Sequence, residues 1–315
     1  MAQLIKLQDY ISRYEQDIYR YSSQYVRFKK QQWEIFQTQK NVKMEEEITF
    51  YSDEIEVDKS NKIIEFFKTS VKRNKQKETE EQEPSTTIND GNEDELNEYF
   101  KKASRMNLSE IGEKQFFLDA LYPYQLKWAS STIRNMSFLD NGYQIDDRLK
   151  YLVQRFPDTF LVMYKPIFLV KQAPVQMEII LITPDSIKCI YMTEVEDESV
   201  LIGKNSRFWL LRDGNSEKKL VNPTISLNRM GNIVKNVLIG NDIDFPIQKI
   251  ILSENAYIDF PDKQADIELF DKRNYESWFQ KMRNIKLPIK HSQLKAAAIL
   301  LEQCQSSYIE RPEWR

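Results

Sequence analysis

The chain has 315 residues, with 45 basic and 48 acidic side chains, one histidine, two cysteines and 7 glycines. That length suits two domains, or one domain with an accessory segment, and the balanced charge carries no global signature of a polyanion binder. The scarce residues exclude more: no glycines have the spacing of a dinucleotide fingerprint or a phosphate loop, one imidazole cannot furnish a two-histidine zinc site, and a histidine-activated nucleophile would have to use His291.

The opening residues, Met1-Ala2-Gln3-Leu4-Ile5-Lys6, lack the apolar core of a signal peptide. Apolar stretches elsewhere are interrupted well before the roughly 20 residues a membrane-spanning helix needs. Cys189 and Cys304 are isolated and suit a reducing interior. The expectation is a cytoplasmic protein with no transmembrane segment.

Leu4, Leu7, Ile11, Tyr14, Ile18, Tyr21, Tyr25 and Phe28 recur three and four residues apart, and Ile35 and Val42 continue the register across Gln32 and Gln39. This is the period of a helical seam. No glycine or proline precedes Pro84. The pattern predicts an all-α, coiled-coil-like module over residues 1–75, with Ile63, Ile64, Phe66, Phe67 and Val71 of residues 60–73 as a second helix against the first. Tyrosine hydroxyls need partners or water when buried. That favours packing within the chain over an ideal two-stranded zipper. A protein partner on the N-terminal helix, or self-association into an oligomer, is the other reading.

Residues 76–94 change character. Glu78, Glu80, Glu81, Glu83, Asp90, Glu93 and Asp94 are interleaved with Pro84, Ser85, Thr86, Thr87 and Gly91. Such a stretch repels itself and predicts a disordered acidic linker. A helical lead-in follows over 95–142. Ser109 is placed as an N-cap, Phe116, Phe117, Ala120 and Leu121 form an apolar face, Pro123 is expected to break or kink the helix, and Asn141-Gly142 makes a turn. Residues 145–155 carry Ile145, Leu149, Leu152 and Val153 on one helical face, ending before Pro157.

From residue 159 the period shortens to that of strands. Residues 160–164, 167–170, 178–182, 187–191, 200–202, 208–211, 247–252 and 267–270 read as strands, with Thr183-Pro184-Asp185-Ser186 as a hairpin loop. Asn222-Pro223 opens a helix through Leu227, Met230, Val234 and Leu238. Residues 274–284 and 291–307 close the chain as helices. The fold class is therefore α/β: an α+β mixed sheet with flanking helices over 143–315.

The order of these elements resembles the nuclease-related domain, NERD, a relative of the PD-(D/E)XK nucleases. The residues that carry the resemblance are the helix running into Phe156-Pro157-Asp158, the strand opening with Met177-Glu178, the turn Ile182 to Ile187, then Trp209, Asn222-Pro223 and the helix bearing Trp278. They cover a little under half of the chain. The resemblance implies a restriction-endonuclease-like fold. It also implies two acids holding Mg²⁺, with a lysine two residues after the second acid, on the same face of its strand. Glu178 stands at the first acid. Ungapped alignment puts Tyr191-Met192-Thr193 at the acid-X-lysine triplet, so the active site is degenerate. Asp147, Glu178, Glu194 and Glu196 are the vestigial candidates, with Glu178 and Glu194 as Mg²⁺ ligands in an active form and no cofactor otherwise. Arg207, Arg212, Lys218 and Lys219, around Phe208 and Trp209, are candidate nucleic-acid-binding residues. The expected function is an inactive nuclease-related domain acting in recognition or scaffolding, with nucleic acid or protein as partner. The alternatives are an Mg²⁺-dependent nuclease acting on DNA or RNA, and a self-associating structural protein.

Overall fold

The computed structural model describes residues 1–52, 96, 98–100, 109–214 and 216–314. The expected second helix over 60–73, the acidic linker, and residues 95, 97 and 101–108 of the expected helical lead-in lie outside these residues. In chain order the elements are β1 (Gln3–Leu7), α1 (Ile18–Ser52), α2 (Glu110–Trp128), β2 (Asn135–Met136), α3 (Asp147–Arg155), β3 (Leu161–Tyr164), β4 (Ile167–Val170), β5 (Ala173–Gln176), β6 (Ile179–Ile182), β7 (Ile187–Met192), β8 (Val200–Ile202), β9 (Phe208–Asp213), β10 (Ser216–Val221), α4 (Pro223–Ile239), β11 (Ile247–Leu252), β12 (Tyr257–Asp259), β13 (Ile267–Phe270), α5 (Tyr275–Arg283), α6 (His291–Glu302) and β14 (Ile309–Glu310). The class is mixed α/β, with flanking helices and a long helix near the N-terminus.

The chain divides into two compact units, Met1–Lys29 with Leu121–Arg315, and Lys30–Ala120. The first unit is built on a six-stranded mixed sheet ordered β1-β3-β6-β7-β11-β13. β3, β6 and β7 run antiparallel in sequence, while β1 lies parallel to β3 and β11 parallel to both β7 and β13. Every residue of β1, β3 and β6 is buried. Strands covered on both faces read as continuous apolar runs, which is what Leu161–Tyr164 and Ile179–Ile182 show. A second sheet, β10-β9-β8-β12, follows β7 in the chain.

The strand β1 corrects the seam reading. Gln3–Leu7 is not helical; it pairs in parallel with Leu161–Tyr164. The outer edge of β1 is closed by a side chain. Gln125 of α2 accepts from the Leu4 N–H at 2.9 Å and donates to the Ala2 carbonyl at 2.8 Å, as a neighbouring strand would. Lys6, fully buried, is held by Glu15, the Tyr10 carbonyl and Ser306. The residues expected to continue the seam instead gather around Trp128. Tyr14, Tyr21, Tyr25 and Phe28 lie with ring centroids 5.8–6.2 Å from it, and the Arg13 guanidinium sits 5.0 Å over the same ring. Residues 1–29 thus belong to the α/β core and not to a separate helical module.

The second unit has its own aromatic core. Trp33 meets Phe117 at 4.9 Å, Phe36 meets Phe100 at 5.2 Å, and Tyr99 stacks on Phe116 at 4.6 Å. Lys40 pairs with Glu113. Gln32 and Phe36 are the buried positions here, at 2% exposure each, so the seam does not pass through Ile35.

Pro123 does not break α2, which runs from Glu110 to Trp128 with Tyr122 and Leu126 buried on either side of it. Tertiary burial outweighs the local cost of the missing N–H. Residues 303–307, expected as helix, lie beyond the end of α6. Among the described residues, no helix is long and apolar enough to cross a membrane.

Candidate functional site

The site lies where β3, β6 and β7 end together, and it is assembled by local chemistry. Asp146 caps α3, accepting from the Leu149 N–H at 2.9 Å, and also accepts from the Tyr164 hydroxyl at 2.9 Å. One carboxylate therefore fixes the helix start against the end of β3. The helix lays Leu149, Leu152 and Val153 on the sheet and turns Arg148 outward. On the other side Asn222 accepts from the Thr224 N–H at 2.9 Å, capping α4, and donates to the Ser206 carbonyl at 2.7 Å. The Asn-Pro pair thereby anchors the start of α4 to the loop before β9. Trp209, fully buried, packs on Phe260 at 4.9 Å and donates to the Lys204 carbonyl at 3.1 Å.

Three side chains stand in a row across the strand ends. Ile179 pairs with Tyr164 on one side and with Ile190 on the other. One residue further along each register, Glu178 is set between Lys165 and Tyr191. The Lys165 N–H donates to the Glu178 carbonyl at 2.8 Å, and Lys165 takes a left-handed φ of 48° there. Its ammonium lies 5.3 Å over the Tyr164 ring. All three residues of the row line one cavity of about 400 Å³, together with Arg148, Thr193 and Glu194. The second sheet contributes apolar lining, through Leu201, Trp209 and Leu220. Burial pushes the Tyr191 hydroxyl pKa up, and the carboxylates of Glu178 and Glu194 push it the same way. Tyr191 therefore stays protonated and neutral in the site.

A second cavity of about 590 Å³ adjoins the first, since Arg148, Met192, Thr193, Glu194 and Val195 line both. Asp147, Glu196 and Glu254 line only this second cavity. Arg148 and Glu194 form an ion pair at the shared wall. Further along the same loop, Lys272 holds Asp197 at 3.0 Å and also pairs with Glu198. The hydrogen bonds that Lys272 donates to Glu198 and Asp197 raise its pKa.

The four acidic candidates thus reach two adjoining cavities but do not form one metal centre. Glu178 is in the first, Asp147 and Glu196 in the second, and Glu194 at the partition is bound to Arg148. Among the described residues, no three of His, Cys, Asp and Glu come together as a metal-holding group. The donor set does not fit Mg²⁺, which takes charged oxygen ligands: the residue across the ladder from Glu178 is the neutral phenol of Tyr191.

The four basic candidates separate. Arg212 is paired with Glu217 at 2.8 Å. Lys218 and Lys219 point to opposite faces of β10, with Lys218 on the face of Leu220. Arg207 lies over Phe208 at 5.6 Å, and both are exposed. Sequence reasoning missed Arg148 and Lys165. The pairing of β3 with β6 could have found Lys165, because it brings residue 165 beside Glu178. His291, the lone imidazole, stacks on Tyr19 at 5.5 Å, and it does not line either cavity.

No protein-family model matches the chain. No solved structure matches it. A segment of 34 residues is 59% identical to an RNA 2′,3′-cyclic phosphodiesterase of Geobacillus stearothermophilus. That match spans 11% of this chain and 11% of that protein's length, the size of a single supersecondary unit.

Proposed function

We propose that the α/β unit is a nuclease-related, restriction-endonuclease-like domain that has lost hydrolysis and binds nucleic acid without cutting it. The observation that carries this reading is the row Lys165, Glu178, Tyr191. A carboxylate-metal nuclease needs a second acid beside Glu178, and a neutral tyrosine occupies that position. The order α3, β3, β6, β7, α4, β11, with β7 antiparallel to β6 and parallel to β11, supports the fold part of the reading. The two cations on the first cavity, Arg148 and Lys165, support a phosphate-bearing partner. So do the exposed Arg207 and Phe208 at the start of β9.

The test is incubation of the full chain with single- and double-stranded DNA and RNA, with Mg²⁺ or Mn²⁺. The expected result is binding that weakens steeply with salt and no cleavage. Metal-dependent cleavage that Glu178→Ala abolishes would overturn the reading in favour of a nuclease. Absence of salt-sensitive binding to any nucleic acid would turn it toward a protein partner.

A further inference from the structure

The two adjoining cavities differ in charge: the first is balanced and the second is acidic. The first carries Arg148 and Lys165 against Glu178 and Glu194; the second carries Asp147, Glu194, Glu196 and Glu254 against Arg148 alone. A polyanion threaded through both would have to pass these carboxylates. An anionic group that enters the first cavity therefore meets an acidic wall beyond the partition. The second sheet adds apolar lining to the first cavity, through Leu201, Trp209 and Leu220. A cleft with an apolar lining, two cations set beside Glu178 and Glu194, and an acidic wall beyond the partition is suited to the end of a chain, not to its middle.

The partition is displaceable. Glu194 contributes a side chain that is 68% exposed, against 22% for Arg148. An ion pair this open to water is weak. A terminal phosphate monoester carries about −1.5 to −2 charges near neutral pH, against −1 for a carboxylate or an internal phosphodiester. It also matches the guanidinium fork with two oxygens.

On the reading that this domain binds nucleic acid, we propose that the first cavity is a receptor for the terminal phosphate of a single strand. Arg148 exchanges Glu194 for the phosphate, and Lys165 supplies the second positive charge from the end of β3. No covalent step is involved. Glu194 acts as the competitor that the ligand displaces, which makes it a specificity residue without being a ligand contact. Tyr191, neutral and beside Glu178, contributes no charge against the incoming anion.

Fluorescence anisotropy of the full chain with short oligothymidylates tests this in three arms: a 5′-phosphate, a 3′-phosphate and hydroxyls at both ends. One phosphorylated strand should bind about 10-fold tighter than the unphosphorylated one, the scale of one charge-assisted contact. Arg148→Gln and Lys165→Gln, each verified as folded by thermal melting, should each remove that preference. Glu194→Gln should strengthen binding of the phosphorylated strand several-fold, a gain that misfolding cannot mimic. Equal binding in all three arms overturns the terminal-phosphate inference and leaves the nucleic-acid reading standing. So does a preference that none of the three substitutions alters. If no oligonucleotide binds in any arm, both fall.

Discussion

Tyr191 stands across the β6–β7 ladder from Glu178, and both side chains line the same cavity. Two residues past Tyr191, where a strand returns to the same face, comes Thr193. A metal-binding acid beside Glu178, and a lysine two residues further along, would therefore need only two side-chain changes. Replacing both, Tyr191→Glu with Thr193→Lys, should create an Mg²⁺ site with Glu178. Calorimetry should detect Mg²⁺ binding that the wild-type chain lacks. Plasmid nicking should rise roughly 10²-fold above background, the lower end of what one positioned catalytic group supplies. A folded double variant with neither property would show that Glu178 does not face a metal position.

Gln125 replaces a strand at the edge of β1, bonding both the Leu4 N–H and the Ala2 carbonyl. Gln125→Leu keeps the volume and leaves both backbone groups buried without partners. The expected loss is about 2–4 kcal/mol of unfolding free energy. Urea denaturation followed by tryptophan fluorescence would measure it. Loss in the α/β unit is the point of the experiment, because a free-standing N-terminal helix would leave that unit untouched.

Asp271 lies at the end of β13 and ties the two sheets together. Its carboxylate accepts from the Ile258 N–H of β12 at 3.0 Å and from the Arg273 N–H at 3.0 Å, and it pairs with the Arg273 side chain. Burial pushes its pKa up, but the Arg273 side chain and the two backbone N–H groups outweigh that, and the net direction is down. A carboxylate depressed in the folded state stabilises fully above its unfolded pKa of about 3.9. That contribution is lost as pH falls through the lower folded value. Melting temperature should therefore drop as pH falls below about 4 in the wild type. In Asp271→Asn, less stable at neutral pH by about 2–3 kcal/mol, the acid-side slope should be shallower. Equal slopes in both proteins would remove Asp271 from this account.

The β4–β5 hairpin turns on Lys171 and Gln172, whose φ values are 49° and 66°. Both lie in the left-handed region that suits Asn and Gly. Lys171→Asn with Gln172→Gly should stabilise the chain by about 1 kcal/mol. Thermal melting would show the gain, and a loss would mean that the lysine or glutamine side chain makes a contact worth more than the backbone strain.

Several elements were legible from local pattern alone. Ile247–Leu252 is a strand with the bounds its apolar run suggested, and Asn222 caps the helix that Asn-Pro announced. What was hidden followed physical rules that local pattern does not carry. The turn at Lys171 lacks the residues that advertise a hairpin, so β5 went unseen. Leu4 and Leu7 are spaced as on a helix, but β1 is buried on both faces and shows no alternation. The strand β10 is mostly exposed and reads as polar loop. At the site, the lysine was sought along one strand, two residues after an acid. The lysine that does line the cavity, Lys165, comes from the end of β3 and is brought beside Glu178 by the β3–β6 pairing.

The parallel pairing of β1 with β3 also bears on how the chain reaches its fold. Gln3 waits for Leu161, roughly 160 residues later in synthesis, an interval on the order of 10 s at ordinary translation rates. During that time an apolar strand with unpaired edges is without its partner. A parallel contact this distant in sequence also raises the contact order and slows closure of the sheet. The strand β1 is thus one that can be placed only after much of the core exists, and until then it is exposed to wrong partners on the way to the native state.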